Sequence, residues 1–270
     1  MTTPGYWGEP AWDFLDVVAA RYPNFPTQND KDNYYTFFIL LQYVLPCHEC
    51  SKHFSENLII NPLNEYALST PATLTNWLIN MHNIVNGQTK APKINPETAM
   101  NSIFNKGLLV NNLKWTDNAW KFLHAVTIGY PATPNTLDKE KYRLYFTILQ
   151  YVLPANDYRE AYVEALKVLP LTDNVLSSQT NLFDWANEMH NRINTKFNIP
   201  TITSEDRLTN IIQEQEEIIN KKKKEINEEI KEAFVSNFSN NNTLLLFALI
   251  ILIIAVVTAL SCSLTLTCER

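Results

Sequence analysis

Glycine is scarce, 5 among 270 residues, beside 14 prolines. A Gly-rich phosphate loop is excluded, since neither GxGxxG nor GxxxxGK(S/T) occurs. Turn-rich β structure is disfavoured for the same reason, and abundant Leu, Ile, Asn and Tyr point to helices. Cysteine is also rare: Cys47, Cys50, Cys262 and Cys268 are too few for a disulfide-stapled scaffold. Basic charge is not in excess. Lys+Arg 22 against Asp+Glu 28 gives −6, which argues against a nucleic-acid binder, where a basic face is needed. Charged residues are only 19% and hydrophobic ones 46%, enough for a core and against wholesale disorder. The first twenty residues lack a basic leader and carry Glu9, Asp13 and Asp16, so no secretory signal is expected there.

What is present begins with a long apolar run. Leu244 to Leu260 holds no charge, and a helix across a bilayer needs about 20 mostly apolar residues. Residues 241–266 are therefore expected to form one C-terminal transmembrane helix. Lys221–Lys224 and Lys231 precede the run and only Arg270 follows it. The positive-inside rule then puts the large domain in the cytoplasm, as a tail-anchored protein of a host or virion membrane. Residues 204–240 read as a charged helical stalk, with Ile211/Ile218 and Ile212/Ile219/Ile226 at spacing seven, as in a short coiled coil.

The rest of the chain is a duplication. Trp7 and Trp12 recur as Trp115 and Trp120, Tyr22-Pro23 as Tyr130-Pro131, and Trp77 as Trp185. Gln42–Pro46 recurs letter for letter as Gln150–Pro154, and Met81-His82-Asn83 as Met189-His190-Asn191. Every pair is separated by the same 108 positions. Two copies of one domain, 1–108 and 109–203, are expected. Each reads as helices: 9–21, 31–45, one opening near Pro46-Cys47 with Phe54 and Leu58 inward, and one opening after Ser69-Thr70-Pro71 with Gly87 as its stop. A short fifth helix is expected at 97–106. The fold class is all-α, tandem four-helix bundles.

The copies differ where chemistry is concentrated. Copy one has Pro46-Cys47-His48-Glu49-Cys50, whereas copy two has Pro154-Ala155-Asn156-Asp157-Tyr158. A Cys-x-x-Cys pair at a helix start suits redox chemistry, because the helix N-terminus favours a thiolate and the second cysteine lies one turn on. Zinc, using His53 and His82, or two inert thiols are the alternatives; zinc wants four ligands and the soluble part has no second cysteine pair. On the fourth helix His82 and Asn86 are i and i+4, and Asn83 and Asn86 i and i+3. With Trp77 they form an aromatic–polar strip suited to a planar, hydrogen-bonding ligand.

The order Gly8, Trp12, Leu15, then Tyr22-Pro23, then Leu45-Pro46-Cys47-x-x-Cys50 with His53-Phe54, then Trp77, His82-Asn83-x-Val85-Asn86 and Lys90 resembles the Erv/ALR family of FAD-linked sulfhydryl oxidases. The second copy resembles a degenerate member. The composition, anchor and low cysteine count are similar to members encoded by large DNA viruses. The resemblance implies an enzyme in which protein thiols or a thioredoxin-like relay protein reduce Cys47–Cys50. Electrons then pass from Cys50 to FAD and on to oxygen, giving hydrogen peroxide. It implies FAD binding by Gly8, at a turn, and by Trp12, Tyr43, Trp77, His82, Asn83, Asn86 and Lys90, with no metal and no nucleic acid. Family members pair as homodimers through their first two helices, so the two copies imply a pseudo-dimer within one chain. Three features depart from the pattern. Asp16 stands where the family has histidine, which survives only as His124; the soluble part has no second cysteine pair; and Lys90 comes one residue early. Cys262 and Cys268 flank the far end of the apolar run.

Overall fold

A computed structural model describes residues 3–238, 249–254 and 256. Among them every regular element is helical. The first repeat holds α1 (Pro4–Ala20), α2 (Gln28–Val44), α3 (His48–Ile60), α4 (Pro71–Thr89) and α5 (Pro96–Leu108). The second holds α6 (Trp115–Ile128), α7 (Thr136–Val152), α8 (Asn156–Val168), α9 (Gln179–Lys196) and the start of α10 (Ser204–Phe238).

Local chemistry sets the helix ends, and sets them alike in both repeats. Thr27 and Asp30 form a capping box at α2, and Asn135 and Asp138 do so at α7. Thr70 caps α4 with Pro71 at the first helical position. Gly87 does not stop α4. The helix runs two residues further and ends at Lys90 in the left-handed conformation (φ 59°), matched by Asn198 (φ 57°) in the second repeat. There the Ala91 amide donates to the Asn86 carbonyl, closing the last turn. On α3, Phe54 is buried as expected, but Leu58 is half-buried and Asn57 points inward instead. The Asn57 and Gln88 side-chain amides bond reciprocally (3.1 and 2.8 Å) and tie α3 to α4.

The repeated Tyr-Pro has a structural reason. Tyr22 Oη donates to the Leu68 carbonyl (2.8 Å), and Tyr130 Oη to Leu176 (2.9 Å), pinning each α1-type helix end to the start of the fourth helix.

Like helices of the two repeats pack together, α1 on α6 and α2 on α7. Phe14 stacks with Trp115 (6.2 Å) and meets Phe122 (6.5 Å), and Phe37 stacks with Tyr145 (5.8 Å). Phe14, Phe37, Phe122 and Tyr145 are fully buried. Each such side chain contributes about 1.5–3 kcal/mol by leaving water. The faces of α1 and α2 that an isolated repeat would expose are therefore covered by the other repeat.

The compact unit runs to Gln215, past the boundary expected at residue 203. The first turns of α10 occupy in repeat two the place that α5 takes in repeat one. Ile211 is buried at 4% exposure, and Gln215 Oε1 accepts from the Thr3 amide (3.0 Å). Ile211 is thus used in the core and is not part of a stalk seam. The second unit begins at Glu216 with the rest of α10, a charged helix. Among the described residues no helix is long and apolar enough to cross a membrane. Most of the run 241–266, with Cys262 and Cys268, lies outside the described residues.

Candidate functional site

Cys47 is the N-cap of α3, and its sulfur accepts from the Cys50 amide (3.2 Å). The two cysteines form a disulfide with Cα atoms 5.1 Å apart. Ser51 Oγ donates to the Leu45 carbonyl (3.1 Å) and folds the preceding turn back onto the helix. Cys50, but not Cys47, lines a cavity of about 250 Å³. Its walls come from one face of α1 (Trp7, Gly8, Ala11, Trp12, Leu15), from Leu41 of α2, from His53 and Phe54 of α3, and from Val85 of α4.

A second cleft, about 740 Å³, shares Gly8, Trp12, Val85 and Thr89 with the first. It adds His82, Asn86, Asp13, Asp16 and Lys106. Trp12 and His82 stack at 4.0 Å with planes 7° apart. Lys106 of α5 bridges Asp13 (2.6 Å) and Asp16 (3.1 Å). Burial pushes the Asp16 carboxyl up to about 6, although Lys106 pulls it back. The substitution of aspartate for histidine is thereby matched by a lysine that α5 brings to it.

Gly8 sits inside α1, not at a turn. A glycine there costs about 0.5–1 kcal/mol relative to alanine. A Cβ on Gly8 would meet no atom within 4 Å, so the glycine leaves open the space shared by the two cavities.

The structure brings Gly8, Trp12, His82, Asn86 and Cys50 to these walls and places the other sequence candidates elsewhere. Trp77 lies in the core, edge-on to Phe38 (5.2 Å), with Nε1 donating to the Asn61 carbonyl (2.9 Å). Trp185 does the same in repeat two. Tyr43 is 45% exposed on the other side of α2, with Lys141 Nζ 3.9 Å above its ring. Lys90 is the exposed left-handed cap. Asn83 buttresses the site: it exchanges two bonds with the Ile94 backbone (3.1 and 2.8 Å), while Asn86 Nδ2 donates to the Pro92 carbonyl (2.8 Å). These amides hold the loop that leads into α5, and α5 forms the far wall of the cleft. Lys106 was not among the sequence candidates, Trp7 entered only as a repeated residue, and His53 only as a zinc alternative and within the motif. Trp7 was legible from its spacing to Ala11 and Leu15; Lys106 was not, because only α5 docking on α1 brings it in.

Repeat two has the same frame with the site filled. Tyr158, at the Cys50 position, is 2% exposed. Its ring lies 5.0 Å from Trp115 and 5.4 Å from Phe197, and its hydroxyl accepts from Trp120 Nε1 (2.5 Å). Phe197 stands at the Thr89 position and Thr116 at the Gly8 position. Trp120 and His190 keep the stack (4.3 Å, 6°), and His190 Nδ1 lies 3.2 Å from His124 Nε2.

Burial, then the charge of Arg207, holds His190 down to about 2, and burial drives His124 well below its usual value, with Arg207 and His190 adding to it. A histidine depressed in the fold loses stability as pH falls below its unfolded value, because only the unfolded chain takes the proton. Asp16 acts oppositely, since its raised value lets the fold take a proton first. These two histidines, together with His82, which burial and then the charge of Lys106 also hold down, outweigh one aspartate. Denaturant unfolding is expected to show a net loss of about 2 kcal/mol between pH 6.5 and 5. His190→Asn should remove a large part of that slope; a stability that rises on acidification would contradict it.

A helical frame with a Cys-x-x-Cys disulfide facing an aromatic cavity defines a class of thiol-reactive helical proteins. The chain belongs to the Erv1 / Alr family, whose profile matches residues 9–105 and 117–217. It is 42% identical over 87 residues to a probable FAD-linked sulfhydryl oxidase of Acanthamoeba polyphaga mimivirus, covering 32% of this chain and 61% of that protein. It is 35% identical over 79 residues to the FAD-linked sulfhydryl oxidase ERV1 of Arabidopsis thaliana, covering 29% of this chain and 40% of the relative. Those matches therefore span less than two thirds of the relatives' own length. Among solved structures, a double cysteine-to-serine mutant of Erv1 from Saccharomyces cerevisiae is 27% identical, with a TM-score of 0.32, covering 34% of this chain and 76% of that one.

Proposed function

We propose that the chain is an FAD-linked sulfhydryl oxidase whose first repeat carries the chemistry. The observation that carries this reading is the Cys47–Cys50 disulfide with Cys50 in the wall of a cavity that Gly8 keeps open toward the Trp12–His82 stack. The residues fit FAD. The apolar cavity beside Cys50 suits a flat ring, and the indole nitrogen of Trp7 in its wall is buried with no acceptor among the described residues. The larger cleft takes the remainder along Trp12, His82 and Asn86, with Lys106 beside it held by Asp13 and Asp16.

The residues then divide the work. A substrate thiolate attacks Cys47, the S–S bond breaks, and Cys50 leaves as the thiolate. The N-terminus of α3 favours that charge. A second substrate thiol resolves the mixed disulfide, so the substrate leaves oxidised and both cysteines are reduced. Bound FAD would supply the acceptor for the electron pair of the reduced cysteines, with oxygen as the final acceptor and hydrogen peroxide as the product. Trp7, Leu41 and Phe54 exclude water beside Cys50. Substrates of this reading are protein thiols or a thioredoxin-like relay protein.

The second repeat serves as an internal partner, a pseudo-dimer in which α6 and α7 cover α1 and α2. Attachment to a membrane through residues 241–266, with the catalytic unit on the cytoplasmic side, completes the proposal; alkaline carbonate extraction of cell membranes tests it. The reading itself is tested by the absorbance spectrum of the purified protein and by oxygen uptake with dithiothreitol. A colourless protein without oxygen uptake would reject it.

Stoichiometry gives a further expected result. Because Tyr158 and Phe197 occupy the cavity in repeat two, the protein should carry one flavin per chain. Flavin absorbance after denaturation, set against protein concentration, measures this; two per chain would contradict the filled site.

A further inference from the structure

Gly129 closes α6 with an ordinary right-handed backbone (φ −77°, ψ −9°), so conformation does not demand glycine there. Space does. A Cβ on Gly129 would lie 2.6 Å from Pro46 Cα, 2.9 Å from Pro46 Cβ and 3.4 Å from the Pro46 carbonyl carbon. Pro46 is buried and immediately precedes Cys47. The redox loop is therefore pinned on both sides. Ser51 and the Cys50 amide hold it from its own repeat, and the bare backbone of Gly129 abuts it from the other.

The reciprocal contact is built differently. Arg21 occupies the position equivalent to Gly129, and its Nε donates to the Pro154 carbonyl (3.3 Å). The vestigial loop thus meets a side chain, while the loop that bears the disulfide meets close-packed main chain. Gly129 is itself fixed by its N–H, which donates a hydrogen bond to the Ala125 carbonyl (2.9 Å).

We propose that Gly129 of the second repeat is a positioning residue for the redox loop, setting where Pro46 and Cys47 lie and hence how a thiol reaches the Cys47 sulfur. The proposal rests on the reading of Cys47–Cys50 as the redox pair. Carbon atoms pack at about 3.5–4.0 Å, so an alanine at 129 must push the loop or the end of α6 by roughly 1 Å. A misplacement of that size costs a reaction up to about a hundredfold.

The test is anaerobic stopped-flow reduction of the full-length protein by dithiothreitol, followed by flavin absorbance. Gly129→Ala is expected to slow reduction about tenfold or more, with flavin content and the rate of reoxidation by oxygen unchanged. Arg21→Ala is the control. It removes the reciprocal contact on the vestigial loop, at the Pro154 carbonyl, and its reduction rate should match wild type. Pro46→Gly removes the ring from the same contact without enlarging anything, and should also slow reduction with flavin retained. A wild-type reduction rate in Gly129→Ala overturns the proposal. If that variant yields no soluble protein, a wild-type rate in Pro46→Gly does so. Wild-type protein that carries flavin but is not reduced by thiols would instead overturn the functional reading beneath it.

Discussion

Replacing Cys50 with serine is expected to leave a yellow, folded protein that no longer oxidises thiols. The fold does not depend on the thiols: repeat two builds the same helices with Ala155 and Tyr158 at the cysteine positions. The cavity beside Cys50 is lined mainly by other side chains, among them Trp7, Trp12, Leu41 and Phe54, so flavin should remain. What serine removes is the leaving thiolate and the route from the loop to the cavity. Oxygen uptake with dithiothreitol should fall by at least about a hundredfold, and Cys47→Ser should do the same. The two variants separate the roles. With only Cys47 present, substrate thiols should still form a mixed disulfide at 47 after oxidative challenge, visible as an added mass. With only Cys50 present, such capture should be slow, because Cys50 faces the cavity. Substantial turnover in Cys50→Ser would end the assignment.

The second large effect concerns the duplication. A chain cut after residue 108 would expose Phe14 and Phe37, both fully buried in the intact protein. It would also lose the Trp115 and Tyr145 stacks and the Asn118 bond to Asp13 (2.8 Å). A contiguous apolar face of this kind drives association or aggregation. Such a truncated protein should dimerise or precipitate, and a soluble monomer should lose flavin because α1, the wall common to both cavities, loses its backing. By contrast, residues 1–215 should be soluble and monomeric, since α6 and α7 already occupy the face. Light scattering at micromolar concentration distinguishes the outcomes. A mass near twice that of the 1–215 chain would reject the internal partner. The cut belongs at 215 and not at 203, because Arg207 bonds Asn187 and Ile211 is buried in the same unit.

The repeat, the helices and the lone Cys-x-x-Cys were legible in the chain because each rests on local or periodic information. The constant spacing survives any folding detail. Thr70 caps α4 through a bond three positions on, and Trp12 with His82 kept their motif, whereas α1 and α2 start at Pro4 and Gln28, ahead of the expected 9 and 31. Gly8 was not placed: it was expected at a turn before a helix starting at residue 9, whereas α1 starts at Pro4 and includes it. Where the reading departed from the structure at Trp77 and Tyr43, the deciding contact came from far along the chain. Trp77 went to the core because Phe38 and the Asn61 carbonyl take its two ends. Tyr43 went to the opposite face, under a lysine of the other repeat. Lys90 ends α4 where Gly87 was expected to, and here the contacts are local: the Ala91 amide closes on the Asn86 carbonyl and Asn86 Nδ2 donates to the Pro92 carbonyl.

The sequence by itself determined that this is a duplicated, helical protein with one redox-capable cysteine pair, since composition, spacing and the loss of both cysteines in the second copy need no coordinates. Only the tertiary structure decided which cysteine faces the cavity, that Lys106 answers Asp16, that Tyr158 fills the second site, and that Gly129 lies against Pro46. Each of these joins residues on different helices, separated by tens of positions or more. Such contacts are set by how α1, α5, α6 and α8 pack, a consequence of burying many apolar side chains at once that no local pattern records.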